Sequence, residues 1–404
     1  MKRILLLIVV IALTIGCFPA CGLAGTAESP IILGGTGDDA FYGMLPLANG
    51  NLILSLSSRG GRDDMPEYDG NVYKVWLLCL APDGSILWET NFGKEDEGGY
   101  TILQYLSLND DDTFSGLAWY SINQTSQYRQ RLTFSLADGS IVSSEDPIAD
   151  TIAADHILRI YYPVNGSFII EEICDCEVSC NPRTLCMTDA QGETLWLLDA
   201  NQIGISHIDN WIPTDNGALL YGRNVTDNVS ADQAVALLVD QNGNVLWTQT
   251  ADIENGSFDN GIIDSNGRFI GAGLAKGEMM LDENGHFIGY DSWNQLIVCW
   301  DATTGAAYWQ TVTEMTDSTL PYDNLIEIEG QYILFDSFRD YLSNVYEIID
   351  ANGQMLQYWT TSYNDFTLLG NSLFVWNNEL WAESVFKDGD TDVLLERINI
   401  PETV

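Results

Sequence analysis

Trp76-Leu77-Leu78-Cys79-Leu80-Ala81-Pro82-Asp83-Gly84-Ser85-Ile86-Leu87-Trp88 is the stretch on which the fold turns. A short apolar run meets an acidic turn, the turn ends in glycine, and a tryptophan stands four residues further on. The same spacing returns at Gly192/Trp196, Gly243/Trp247 and Gly305/Trp309. A pattern that recurs about every 50 residues marks a repeat architecture, in which each unit buries its apolar face against its neighbours.

Working outward, the glycines divide each unit into strands. Inner turns fall at Asn49-Gly50, Asn165-Gly166, Asn216-Gly217, Asn266-Gly267 and Glu329-Gly330. Asp110-Asp111-Asp112 and Asn377-Asn378 take that place in the second and last units. Outer turns fall at Gly84, Gly139, Gly192, Gly243, Gly305 and Gly353. Asn-Gly and Asp-Gly between apolar runs are hairpin signals, because glycine accepts the positive φ that such turns require. No stretch beyond the leader keeps a helical period. The expectation is an all-β chain, a seven-bladed β-propeller of four-stranded antiparallel blades. The last unit lacks an outer strand and Pro30-Ile31-Ile32-Leu33-Gly34 can supply it, leaving no open edge. The extra hairpin at 278–290 offers the alternative of eight blades.

The chain opens with Lys2-Arg3, an apolar stretch from Ile4 to Ile15 and then small residues, the pattern of a secretory signal peptide. Leu13-Thr14-Ile15-Gly16-Cys17 resembles a bacterial lipobox, which makes Cys17 the candidate lipidation site. Cleavage after Ala24 or Ala27 is the alternative. Residues 1–27 are thus read as signal peptide and anchor segment, and 28–404 as one propeller domain. The protein is expected outside the cytoplasm, secreted or lipid-anchored on the outer face of the bacterial cytoplasmic membrane. Without Lys2 and Arg3, 14 basic residues face 58 acidic ones, a formal charge of −44. Such a surface repels nucleic acid and anionic membranes, so neither is an expected partner beyond the lipid anchor itself.

Asp301-Ala302-Thr303-Thr304-Gly305-Ala306-Ala307-Tyr308-Trp309 resembles the repeat of quinoprotein-type (PQQ-like) propellers, and Asp-x-x-Gly-x-x-x-Trp at Asp189 and Asp240 is similar. The first unit, 51–92, resembles repeats of secreted bacterial propeller lipoproteins. The resemblance implies that Trp88, Trp196, Trp247 and Trp309 stack between neighbouring blades. Ser143 and Gln357 stand where two further tryptophans would be expected.

Signatures of chemistry are sparse. Gly-x-x-x-x-Gly-Lys-Ser/Thr, His-Glu-x-x-His and Gly-x-Ser-x-Gly are all absent. Gly271-Ala-Gly273-Leu-Ala-Lys-Gly277 has the wrong spacing for a nucleotide loop, and the histidines are His156, His207 and His286. Cys174, Cys176, Cys180 and Cys186 form the sharpest local cluster. Outside the cytoplasm it reads as disulfides, with Cys174–Cys186 and Cys176–Cys180 favoured, or alternatively as a thiolate metal site. Cys79 and Cys299 read as small buried apolar residues. Asp264-Ser-Asn266-Gly267, Asp282-Glu-Asn284-Gly285, Asp350-Ala-Asn352-Gly353 and Asp388-Gly-Asp390-Thr-Asp392 resemble pieces of calcium loops, although Asp-x-Asn-Gly also suits a plain turn. Trp211, Trp293, Trp376 and Trp381 could stack on sugars or pack between blades. The expected function is a monomeric binding or scaffold module of the cell envelope, for a protein or glycan partner, without catalysis and without a cofactor. Calcium or zinc is the cofactor alternative. The functional alternatives are a glycan-active enzyme using funnel carboxylates and a metal-dependent sensor.

Overall fold

The computed structural model describes residues 30–400 apart from 35–36, 61–71, 94–98, 110, 123–125, 146–147, 151–156, 165–166, 175–183, 189–193, 216, 226–231, 278, 283–286, 315–323, 339–342, 363–366, 389 and 399. Among these residues the strands make seven antiparallel sheets of four or five strands and one separate hairpin. In the first sheet, β2 (Asp39–Pro46), β3 (Leu52–Ser58), β4 (Lys74–Leu80) and β5 (Ile86–Phe92) follow one another as a meander; β1 (Ile31–Leu33) lies elsewhere. The second joins β6 (Tyr100–Leu108), β7 (Thr113–Ile122) and β8 (Ser126–Ser135), with β9 (Ile141–Ser144) and β10 (Ile148–Asp150) both paired to β8. The third contains β11 (Ile157–Val164), β12 (Ser167–Cys174), β13 (Thr184–Thr188) and β14 (Thr194–Asp199). A single helical turn, α1 (Ala200–Ile203), leads to the fourth: β15 (His207–Thr214), β16 (Gly217–Val225), β17 (Asp232–Asp240) and β18 (Val245–Thr250).

The fifth sheet pairs β19 (Gly256–Ile263), β20 (Arg268–Lys276), β23 (Trp293–Asp301) and β24 (Ala307–Glu314). Between its second and third strands, β21 (Met279–Leu281) and β22 (Phe287–Tyr290) pair only with each other, so the extra hairpin is an insertion and not a further sheet of the repeat. The sixth holds β25 (Asn324–Ile328), β26 (Gln331–Phe338), β27 (Ser343–Ile349) and β28 (Met355–Ser362). In the seventh, β29 (Thr367–Trp376), β30 (Glu379–Asp388) and β31 (Asp390–Arg397) are completed by β1, with Ile31, Ile32 and Leu33 opposite Leu395, Leu394 and Val393.

A strand packed on both faces needs apolar residues at every position, and period-2 alternation then sends them to opposite neighbours. On β4, Trp76, Leu78 and Leu80 pack with Trp376, Trp381, Val393 and Leu395 of the seventh sheet. Val75, Leu77 and Cys79 pack instead with Leu103, Phe114, Leu132 and Phe134 of the second. β17 does the same: Ala234, Ala236 and Leu238 meet Phe258, Phe269 and Trp300 of the fifth sheet, while Val235, Leu237 and Val239 meet Leu185 and Met187 of the third. The first strands of successive sheets also touch, β2 with β6, β11 with β15, β15 with β19, β19 with β25 and β25 with β29. Meander sheets stacked face to face with their first strands gathered together are the arrangement of a β-propeller.

The turns answer to their residues. Gly50, Gly84, Gly243 and Gly353 have φ between +80° and +86°, and where the glycine is missing, Asp112, Asn377 and Asn378 take φ of +57°, +54° and +62°. Asp and Asn tolerate this left-handed region better than other residues with a Cβ. The indoles explain the glycine–tryptophan spacing. Trp88 Nε1 donates to Leu136 O (3.0 Å), Trp196 to Gln241 O (3.2 Å), Trp247 to Ala302 O (3.1 Å) and Trp309 to Ala351 O (2.9 Å). Each acceptor belongs to the outer turn of the next sheet. A Cβ on the glycine of that turn would sit 2.5 Å from Trp88 at Gly139, 2.7 Å from Trp196 at Gly243, 2.8 Å from Trp247 at Gly305 and 2.6 Å from Trp309 at Gly353. Each indole is therefore seated on a glycine of the following sheet, not of its own.

Candidate functional site

Five of the gathered first strands are interrupted by a β-bulge. The register shifts between Phe41 and Gly43 on β2, Gln104 and Ser107 on β6, Ile208 and Asn210 on β15, Phe258 and Asn260 on β19, and Leu368 and Ser372 on β29. A bulge leaves a residue out of the ladder and re-aims its side chain, and bulges are common beside binding sites. The residues so released on the first four strands are Tyr42, Tyr105 with Leu106, Asp209 and Asp259. They divide the centre into an acidic side and an aromatic side.

The acidic side lies where the fourth and fifth sheets meet. His207 Nε2 is 3.2 Å from Asp209 Oδ1. Lys276 Nζ donates to Asp232 Oδ2 at 2.6 Å, and Arg223 is 3.7 Å from the same oxygen. Asn255 Oδ1 fixes the start of β17 by accepting the Asp232 N–H (3.1 Å). Asp259 is the unusual member. Burial, and then the nearby Asp209 carboxylate, push its pKa up to about 6, against the opposing pull of Lys276, Arg223 and a Ser257 hydrogen bond. Asp259 Oδ2 and Arg223 Nε are both buried without a hydrogen-bond partner among the described residues. On the rim, the Lys276 ammonium lies 5.4 Å from the centre of the Tyr290 ring, which meets Trp293 edge to face at 5.2 Å; Trp293 is 42% exposed.

The aromatic side comes from the first two sheets. Tyr42 and Tyr100 share a hydroxyl–hydroxyl hydrogen bond. Tyr100 also meets Tyr73 (5.6 Å) and Trp119 (6.2 Å) edge to face, while Arg59 and Arg129 cover the Tyr73 and Trp119 rings at 5.9 and 5.8 Å. Arg59 is held by Asp38 at 3.1 Å. Tyr105 crosses to the acidic side, its ring edge to face with Trp211 of β15 at 5.1 Å. It has φ +56° and is 38% exposed. A non-glycine residue held there is a strained one, and such strain gathers at functional sites.

A carboxyl that keeps its proton to about pH 6 beside a second carboxylate can donate a proton as well as accept hydrogen bonds. Aromatic faces nearby supply stacking surface. Together these groups suit a polar ligand with an apolar face.

None of these bulge residues was singled out from composition or spacing. A signal does exist: Ile208-Asp209-Asn210-Trp211-Ile212 and Phe258-Asp259-Asn260-Gly261-Ile262 repeat an apolar-Asp-Asn-x-Ile pattern, which recurs at Tyr322-Asp323-Asn324-Leu325-Ile326. Asp323 lies outside the described residues.

Of the residues singled out from sequence, His207, Trp211 and Trp293 fall at this centre and the others lie elsewhere. The leader, Cys17 and His156 and His286 lie outside the described residues, as do Cys176, Cys180 and the side chain of Cys174. Cys186 is buried on β13, and its register partner on β12 is Ile170. Glu172 faces Thr184, so the ladder sets Cys174 four residues along from Cys186, about 13 Å at the usual strand rise. That register does not bring the two opposite each other as a disulfide requires. Cys79 and Cys299 are free and buried opposite Trp88 and Trp309, and burial raises both thiols to about 11.

Asp264 and Asp350, two of the turn aspartates resembling calcium ligands, accept hydrogen bonds from their own turns. Asp264 Oδ1 accepts the N–H groups of Asn266 (2.9 Å) and Arg268 (2.8 Å), and its Oδ2 accepts from Arg268 Nε (2.7 Å) and Tyr332 OH (2.8 Å). Asp350 Oδ1 likewise accepts from Asn352 (2.8 Å) and Gln354 (2.9 Å). Residues 283–286 and the side chains of Asp388 and Asp390 lie outside the described residues. Trp376 and Trp381 are 1% exposed in the core, with Trp376 Nε1 donating to Gly50 O at 2.7 Å, so neither is a stacking platform.

No protein-family model matches this sequence, and no curated protein does. Solved structures similar to it include the β-propeller domain of the Trilobed protease from Pyrococcus furiosus (9% identity, TM-score 0.46, covering 90% of this chain and 99% of that one). The WD40 domain of SCAP from fission yeast is similar at 10% identity and TM-score 0.40, over 92% and 99% of the two chains. A prolyl endopeptidase matches at 10% identity and TM-score 0.48, over 91% of this chain and 51% of its own.

Proposed function

We propose that the chain is an exported, seven-bladed propeller, closed by β1 in the seventh blade, that works as a binding module of the bacterial cell envelope. Its ligand, a protein or glycan, enters at the centre where the bulged first strands converge. The observation that carries this reading is the shared interruption: Tyr42, Tyr105, Asp209 and Asp259 leave their ladders within the first strands of four different sheets. The pairing of β1 with β31 and the shared core of the first and seventh sheets support ring closure. Lipid attachment at Cys17 would tether the module, and incorporation of labelled palmitate that disappears in Cys17→Ala tests it. A photo-crosslinking residue at Trp293, on the rim, tests binding in cells. An adduct with an envelope component is expected, and its absence under labelling that modifies the protein elsewhere refutes the reading.

A glycan-active enzyme is the second reading, favoured by Asp259 and its raised pKa beside Asp209. Release of reducing ends from a polysaccharide by the purified protein, abolished in Asp259→Asn, would establish it. The metal-dependent sensor gains no support, because its four cysteines include three whose side chains lie outside the described residues.

A further inference from the structure

We propose that Tyr105, Trp211, Asp209 and Asp259 form a binding subsite for an uncharged saccharide. This rests on the reading of the centre as a ligand site and names the ligand's class.

The first argument is valence. Asp259 Oδ2 is a buried acceptor, and Arg223 Nε a buried donor, each without a partner among the described residues. Arg223 is close enough for its charge to act on the Asp259 carboxyl. Buried polar groups are ordinarily satisfied, so a donor and an acceptor left open on either side of the Asp209 bulge call for a partner that can both give and take a hydrogen bond. A hydroxyl does this. A protonated amine only donates, which would leave Arg223 Nε open. A carboxylate or phosphate only accepts, and it would meet Asp209, Asp232 and Asp259 on a chain of formal charge −42.

The second argument is shape. Asp209 and Trp211 stand two residues apart on β15, so the strand that carries the acid also carries the ring. Tyr105 is brought to that ring from the second sheet by a two-residue bulge, at φ +56°. Tyr105 is 38% exposed, unlike the aromatics of the core. A sugar presents C–H groups on one face and hydroxyls around its edge, matching an exposed tyrosine set against a partly buried tryptophan beside unsatisfied polar groups.

Calorimetry and tryptophan fluorescence on the purified protein test this with xylotetraose, cellotetraose, mannotetraose and tetra-N-acetylchitotetraose, with tetragalacturonate as the anionic control. At least one uncharged oligosaccharide should bind and perturb the emission, and tetragalacturonate should not. Asp209→Asn and Tyr105→Ala should each weaken that binding by about tenfold or more. Tyr105→Gly should weaken it equally while folding at least as well, since glycine adopts φ +56° without strain. No binding by any uncharged probe at about 10 mM overturns the proposal. So does binding that Tyr105→Gly and Asp209→Asn leave unchanged. A crosslinked envelope protein in the absence of saccharide binding would overturn the saccharide assignment and leave the binding module standing.

Discussion

Replacing Asp259 by asparagine should make the protein more stable at neutral pH, and the gain should fade in acid. In the folded protein this carboxyl holds its proton up to about pH 6, against an ordinary value of 3.8. Folded protein therefore binds more protons than unfolded chain between those values. Stability is lost as pH rises through that window, and the loss is complete above the folded pKa. A rise from 3.8 to about 6 corresponds to about 3 kcal/mol, at about 1.36 kcal/mol per unit. Asparagine keeps the shape and cannot ionise, but it forgoes the attraction of Lys276 and Arg223. The net gain at pH 8 should thus be about 1–3 kcal/mol, with little difference between the two proteins near pH 4. Urea unfolding of both, at pH 4, 6 and 8, measures this directly. If the two stability profiles run parallel from pH 4 to pH 8, Asp259 does not carry a raised pKa and the account of the acidic side fails.

Trp247→Ala should cost about 3–5 kcal/mol in urea unfolding, because it empties a buried indole site and leaves Ala302 O without its donor. Gly305→Ala should also destabilise, since its Cβ would lie 2.8 Å from Trp247 at φ +73°; combined with Trp247→Ala its effect should shrink, leaving only the φ penalty. Tyr332→Phe removes a hydroxyl that donates to Asp264 and accepts from Arg268, and a loss of about 1–3 kcal/mol is expected by thermal or chemical denaturation. Cys79 and Cys299 should resist alkylation at pH 8 in the folded protein and react on unfolding, because burial holds both thiols up to about 11; rapid native labelling would contradict this.

The apolar runs and the turn chemistry made the strand pattern readable in the chain, since each depends on a residue's immediate neighbours. Asp112 and Asn377–Asn378 were legible as glycine substitutes for that reason. The partnership of glycine and tryptophan was only half legible. Gly243 and Trp247 are four residues apart in sequence, but Gly243 packs on Trp196 and Trp247 packs on Gly305, so the working pairs are formed between units. Of the central site only Trp211 and Trp293 are legible, as aromatics that could stack on sugars; the acids beside them are not. A bulge is one or two residues out of register, which alters neither composition nor period. Asp209 and Asp259 are two acids among 58, and only their shared setting before asparagine separates them from surface charge. The turn aspartates stood out instead, and Asp264 and Asp350 spend oxygens on their own loops, with Asp264 also accepting from Tyr332 of the next sheet.

The indole contacts are not distributed evenly among the sheets. Trp196, Trp247 and Trp309 fasten the third sheet to the fourth, the fourth to the fifth and the fifth to the sixth. Trp376 and Trp88 fasten the seventh to the first and the first to the second. At the outer strands of the second and sixth sheets, Ser143 and Gln357 take the tryptophan's place. Among the described residues the indole contacts thus fall into two groups, one linking four sheets and one linking three, with none between the second and third or the sixth and seventh. Amide exchange should resolve these groups of sheets as separate cooperative units. A chain cut in the 363–366 segment, between the sixth and seventh sheets, should reassemble from its fragments more readily than one cut within a group.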